Sequence, residues 1–391
     1  MYLNVHSSYS LRYGTMSIPK LIDEAAARGI TQMALTDINN STGVMEFMRA
    51  CNAKNIKPIA GIEFRRDKKL LYIGIAQNKE GMKELNDFLT EHNLGKKPLP
   101  DEAAIFNHAY VIYPFNYKGS LKLNEYYGIR FDELHQLYGR DIAMIRQQLV
   151  ALQPVFIADK LGYRLHEYLR AIDLNTLLSM IAPEDKCKNA DLFLPPGEME
   201  CKYAKYAFIL DNTRQLMNNC IMDYQQGKIK LNRKTFTGNK TDDTALLKKL
   251  AMEGMRYRYG PNNSEALKKV KKELKVIEEM NFCAYFLITW DIIRYSMARG
   301  YYHVGRGSGA NSTVAYCLRI TDVDPLELDL YFERFLNSER TSPPDFDIDF
   351  SWDQREDVQD YIFKRYGSRY TALLGTMTHS KTVRLSVKSV R

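Results

Sequence analysis

The sequence has no uninterrupted apolar run of the roughly 18 residues that a bilayer-spanning helix requires. Its richest candidate, Phe282 to Ile293, is broken by Asp291 and reads as a core helix. The first residues, MYLNVHSSYS, lack a charged n-region and an apolar h-region, so no secretory signal and no membrane partner is expected, and the location expected is cytoplasmic. Cysteine is sparse: six residues, at 51, 187, 201, 220, 283 and 317, with no CxxC pair among them. That scatter excludes a paired-cysteine metal site or a small disulfide framework and predicts reduced, mostly buried thiols. Internal repeats and low-complexity tracts are absent too. What is present is an ordinary globular composition, 45% hydrophobic and 26% charged, over 391 residues. At roughly 100–200 residues per domain this allows two or three domains. A formal charge of +8 suits a polyanionic partner, though many basic proteins never touch nucleic acid.

The first third alternates strand-like and helix-like segments. Tyr2–His6, Gln32–Asp37, Lys57–Phe64 and Leu70–Ala76 read as strands. Helices are expected from Ser17, with Pro19 in the first turn and Gly29 after the last, and over Gly43–Asn55 and Gly81–His92. Ala109–Pro114 and Pro154–Ala158 look like later strands of the same domain. Repeated βα units imply a parallel sheet, and enough of them close into a barrel. From about Tyr203 the pattern turns helical, with helices over Ala207–Tyr224, Thr244–Tyr259 and Glu265–Met280. In the last of these Leu267, Val270, Leu274 and Ile277 share a face. Lys268, Lys269, Lys271, Lys272 and Lys275 crowd the other, which reads as a solvated surface interleaved with Glu273, Glu278 and Glu279.

Chemistry concentrates between Gly300 and Phe350. In GYYHVGRGSGANSTVAYCLRI, Gly305, Gly307 and Gly309 surround Arg306 and Ser308, ahead of a helix over Ser312–Leu318. Such a loop lets backbone N–H groups approach an anion, and Arg306 and Ser308 can add phosphate contacts. A tight strand-to-helix turn without a ligand would read the same way. The run PPDFDIDF is more telling, because Asp345, Asp347 and Asp349 alternate with Phe346, Ile348 and Phe350. In a strand the three carboxylates share one face and the three apolar groups the other. Carboxylates so crowded repel one another unless a divalent cation neutralises them. Paired Mg²⁺ ions about 3.5–4 Å apart serve phosphoryl and nucleotidyl transfer in this way.

A Gly-Ser loop followed by an Asp-x-Asp strand resembles the nucleotidyltransferase palm of the polymerase beta type. The phrases YFLITWDIIRYSMARG, GRGSGANS and ITDVDPLELDLYFERFLNSERTSPPDFDIDF are similar to the palm of bacterial DNA polymerase III alpha subunits, and the closing GTMTHSKTVRLSVKSVR looks like the segment that follows it. The resemblance implies template-directed synthesis from deoxynucleoside triphosphates on a DNA primer-template. Asp345 and Asp347 would be the leading Mg²⁺ ligands and catalytic carboxylates, with Asp349 beside them. Arg306, Gly307, Ser308 and Gly309 would hold the triphosphate, and Lys381 and Arg384 would face DNA or nucleotide. The family also uses a later carboxylate, thumb and fingers, and binds a sliding clamp and other replisome subunits through further domains. None of these is found in the 391 residues, so polymerase activity is not expected of them alone.

The N-terminal half, with VHSSYS, ALTDINN and KPIAGIEF, resembles the PHP (polymerase and histidinol phosphatase) domain of the same family, a distorted seven-stranded βα barrel with a multinuclear metal site. Its ligands are mostly missing: Asn4-Val5-His6 stands for His-x-His, Tyr13 for an acid, and Ile38 and Leu71 for histidines. His6 and Glu63 remain, with Asp37 as a neighbour, too few for such a site, and a metal-free structural barrel is expected. The expected architecture is therefore a PHP-like barrel over 1–202, a helical connector over 203–264 and an incomplete α+β palm over 265–391. Two alternative readings stand beside it: a PHP-type phosphoesterase, which leaves Asp345–Asp349 unexplained, and a non-catalytic scaffold remnant.

Overall fold

A computed structural model describes residues 1–223, 234–337 and 344–375, and its contacts divide the chain into two compact units, Met1–Gln226 and Gly227–Arg391. The first is built on β1 (Tyr2–Val5), α1 (Ile18–Ala27), β2 (Gln32–Leu35), α2 (Val44–Ala53), β3 (Lys57–Arg66), β4 (Lys69–Ala76), α3 (Lys79–Leu94), β5 (Ala109–Pro114), β6 (Glu125–Ile129), β7 (Leu149–Ala151), β8 (Pro154–Val155), α4 (Lys160–Asp173), α5 (Pro196–Tyr203) and α6 (Phe208–Asn218). The eight strands form one sheet in the order β7-β6-β5-β4-β3-β2-β1-β8. Neighbours run parallel except around β4, which is antiparallel to both β3 and β5. Only Asp67 and Lys68 join β3 to β4, too few for a parallel crossover, so this pair must be a hairpin.

The two ends of the sheet come back together. β7 and β8 are its outermost strands, yet only Leu152 and Gln153 separate them in the chain. Three residue steps span at most about 11 Å, so the sheet has to curl almost into a closed barrel. It has eight strands rather than the seven expected, and no described ladder closes the seam. The first core contains Val5, Leu35, Ile62 and Phe64 of the strands with Leu21, Phe47 and Leu85 of α1 to α3. A second contains Leu3, Ala34, Ile59, Ile73 and Ile112 with Leu216 and Met217 of α6. The α6 stripe at Ile209, Thr213, Leu216 and Met217 thus lies in the first unit, where a connector had been expected from residue 203.

The second unit opens with α7 (Lys240–Tyr259), α8 (Ser264–Glu279) and α9 (Cys283–Ala298), then β9 (His303–Arg306), a 3₁₀ turn over Gly307–Asn311, α10 (Thr313–Cys317), β10 (Asp347–Phe350) and α11 (Arg355–Tyr366). Asn239 and Asn263 cap α7 and α8 by accepting from the backbone N–H groups of Thr241 and Ala266. Leu247, Ala251 and Met255 of α7 pack with Val270, Leu274 and Ile277 of α8, and Phe286, Leu287 and Ile293 of α9 complete the centre of that core. One acid does not follow the sequence reading. Glu273 is buried, 2% exposed, on the same stripe as Ala266, Val270 and Ile277, and not on the solvated lysine face. Five of the six cysteines are buried, and none is in a disulfide.

Candidate functional site

β9 and β10 pair antiparallel, with Arg306 opposite Asp347 and Val304 opposite Asp349. Alternation along β10 sends Asp347 and Asp349 to one side and packs Ile348 and Phe350 on the core. Phe346, just ahead of the strand, wedges among Tyr285, Phe286 and Phe335, with ring centroids 5.3, 5.1 and 4.8 Å away. Its backbone N–H donates to the Tyr285 hydroxyl at 2.7 Å, which fixes where β10 begins. The strand therefore carries two of the three carboxylates. Asp345 precedes it, exposed, with Oδ1 3.5 Å from Ser308 Oγ. Arg306 is exposed yet tied to the acidic strand: its Nε donates to Asp349 at 2.7 Å and its Nη1 to Asp347 at 3.3 Å. Asp347 and Asp349 are 43% and 56% exposed, so both stay open to a ligand.

The three glycines each have a steric reason. A Cβ on Gly305 would lie 2.0 Å from the Ile320 carbonyl oxygen, and one on Gly309 would lie 2.5 Å from the Phe346 ring. Gly307 has φ +75°, and a Cβ there would come within 2.7 Å of Asp347 Oδ2. The loop is thus shaped against the acidic strand itself. Behind it, Glu273 accepts the N–H groups of Thr313 at 2.9 Å and Val314 at 3.0 Å, and the Ser312 hydroxyl at 2.8 Å. Burial pushes this carboxyl up, and those hydrogen bonds oppose the shift. The N-terminus of α10 is therefore filled by the protein's own acid, and any phosphate contact falls to Arg306 and the Gly307–Gly309 turn. The i, i+4, i+7, i+11 spacing of Ala266, Val270, Glu273 and Ile277 was the signal that could have found Glu273. Lys381 and Arg384 lie outside the described residues.

In the first unit the structure gathers His6, Asp37 and Glu63 into one buried network. His6 Nε2 is 3.1 Å from Glu63 Oε2, which also accepts the Asn4 side-chain amide at 2.9 Å. Arg65 Nε donates to the other Glu63 oxygen. Asp37 accepts from Ser7 N and Ser7 Oγ, both at 2.7 Å, and from Ser10 Oγ at 2.6 Å. Burial pushes Asp37 up despite these donors. Burial would do the same to Glu63, but the charge of Arg65 and the nearby His6, with the Asn4 hydrogen bond, hold it at about 2. Ile38 and Tyr13 line a cleft of about 290 Å³ beside Arg65, and Leu71 is buried in the core. Among the described residues no three His, Cys, Asp or Glu side chains are grouped to hold a metal. His166, which sequence reasoning passed over, lies nearby with Cys187. The His166 Nδ1 is 2.7 Å from the Tyr13 carbonyl, and the Cys187 N–H donates to its Nε2 at 2.9 Å.

Both halves have counterparts among known proteins. The PHP domain family matches residues 3–175, and the family described as the bacterial DNA polymerase III alpha NTPase domain matches residues 245–390. The chain is 32% identical to DNA polymerase III subunit alpha of Halalkalibacterium halodurans over 98% of its own length and 38% of that protein. Against the Escherichia coli K12 subunit it is 31% identical, with the same coverage. Against the error-prone DNA polymerase of Symbiobacterium thermophilum it is 27% identical, over 96% of the chain and 39% of the relative. The molecule is thus a PHP domain joined to a polymerase-type domain. Over the stretch it spans, a little under two-fifths of these relatives, the chain belongs to the DNA polymerase III alpha family.

Proposed function

We propose that the second unit supplies part of the nucleotidyl-transfer site of a DNA-directed DNA polymerase, acting on a DNA primer-template and deoxynucleoside triphosphates within a replisome. The observation that carries this reading is the pair Asp347 and Asp349, projected from one face of β10 beside the Gly307–Ser308 turn. The available donors are carboxylate and hydroxyl oxygens, half-exposed and free of histidine or thiolate. That set suits a hard cation such as Mg²⁺ rather than zinc or copper. Asp347 and Asp349 would hold it, with Asp345 contributing from the end of the loop. The chemistry such ions supply when bound is activation of the primer 3′-hydroxyl and neutralisation of charge on the leaving pyrophosphate.

The chain's own residues do the positioning. The aromatic wedge around Phe346 and the Tyr285 hydrogen bond set the level of the strand, so the two carboxylates sit at a fixed height above the core. Arg306 balances them from the neighbouring strand and, adjoining Gly307, also serves a triphosphate on the turn together with the Ser308 hydroxyl. Lys381 and Arg384 are proposed DNA or nucleotide contacts. The first unit, with its metal-ligand positions replaced, is proposed to act as a structural platform.

Manganese titration of this chain, followed by electron paramagnetic resonance, tests the site. Asp347→Asn should weaken Mn²⁺ binding tenfold or more, about 1.4 kcal/mol, without changing the fold seen by circular dichroism. Equal binding by wild type and variant would remove the carboxylate pair from the account.

A further inference from the structure

Carboxylates taken out of water need a counter-charge, and in a metal centre the cation supplies it. The PHP match implies such a centre, but the residues of this chain do not fit one. Glu63 is wholly buried on β3, and Arg65, two residues along the same strand, is largely buried beside it with its Nε on Glu63 Oε1. The ladder between β3 and β4 is irregular at this point: Phe64 pairs with Tyr72 and Arg65 with Leu70, leaving Leu71 as the extra residue. Such a bulge re-aims the side chains around it. The Tyr13 ring covers the guanidinium at 4.7 Å, with Phe156 5.8 Å away, and Phe156 in turn stacks on His6 at 4.1 Å. Each of the four carboxylate oxygens of Glu63 and Asp37 already accepts from a protein donor.

We propose that Arg65 is a built-in counter-ion that takes the place of the metal's charge in this barrel, clamped there by Tyr13, so that the first unit folds independently of divalent cations. The replacements work together. An aromatic ring at position 13 gives the guanidinium a face to lie on, while an acid there would have added a further negative charge. A guanidinium brings one positive charge, which suits a centre reduced to Glu63, His6 and a hydroxyl-solvated Asp37.

The test is thermal unfolding of the first unit with metal analysis, made in an Asp347→Asn background so that the acidic strand of the second unit binds metal more weakly. Arg65→Met should lower the melting temperature by roughly 10 °C, because it leaves Glu63 buried without its guanidinium partner, with only His6 and Asn4 beside it. Arg65→Met combined with Glu63→Gln should recover most of that loss. The parent should hold no stoichiometric metal and be indifferent to chelator. A double variant no more stable than the single one, whether folded or not, would overturn the proposal. So would an Arg65→Met protein as stable as its parent, or a parent whose tightly bound metal disappears with His6→Ala.

Discussion

At His166 both ring nitrogens are engaged, one with the Tyr13 carbonyl and one with the Cys187 amide, an arrangement open only to a neutral imidazole. Burial lowers its pKa to about 4, well below the ordinary 6.5. The unfolded chain therefore takes up a proton near pH 6.5 that the folded chain refuses until about pH 4. Stability is full above this window and falls as pH drops through it, by about 3 kcal/mol at the bottom. Melting temperatures recorded from pH 8 to pH 4.5 should fall less steeply in His166→Gln than in wild type; parallel curves would contradict this. Glu63 acts lower on the scale. Held at about 2 against an ordinary 4.5, it contributes stability above pH 4.5 that is lost as pH falls toward 2. Glu273 belongs to the same scale but to the other unit. Replacing it with Ala would leave the Thr313 and Val314 N–H groups and the Ser312 hydroxyl without their acceptor, at a cost of about 2–4 kcal/mol. Denaturant unfolding of Glu273→Ala measures this directly, and a midpoint equal to wild type would show that α10 needs no such anchor.

Among the elements, the 3₁₀ turn after β9 is the most exacting. Gly307 adopts a left-handed backbone and stands against Asp347, so Gly307→Ala should both strain the turn and displace the carboxylate. A stability loss of about 1–2 kcal/mol is expected, together with weaker Mn²⁺ binding in the titration used for Asp347→Asn. Strain without any change in metal affinity would separate the turn from the site. The helices and strands of the first third were legible because their apolar periods differ, 3.6 against 2. Strand direction was not, because alternation is blind to it; the two-residue link Asp67-Lys68 held that information instead. The acidic strand was legible from its alternation, but its start was not. Pro344 has no N–H to give a ladder, and the described strand begins only at Asp347. Glu273 defeats a reading by charge because it lies on the buried helical stripe of α8. The salt bridges of Arg306 to Asp347 and Asp349 follow from cross-strand register, which no local pattern reveals.

For the whole molecule, the two units stand in contrast. In the first, positions where the PHP resemblance places metal ligands hold Tyr13, Ile38 and Leu71, and the remaining acids are satisfied by Arg65, Asn4 and serine hydroxyls. In the second, Asp347 and Asp349 remain about half exposed and share a single exposed arginine. The first unit pairs its charges internally, and β10 of the second keeps its charges available. No helix among the described residues is long and apolar enough to cross a membrane. The central claim, that β10 belongs to a polymerase site, is tested most directly by primer extension with Mg²⁺ and deoxynucleoside triphosphates. The protein for this assay is the product of the complete reading frame containing these residues, compared with the same product carrying Asp347→Ala. The account predicts template-directed extension that falls at least a thousandfold in the variant. Extension undiminished by Asp347→Ala, or none from the unaltered product, would contradict it.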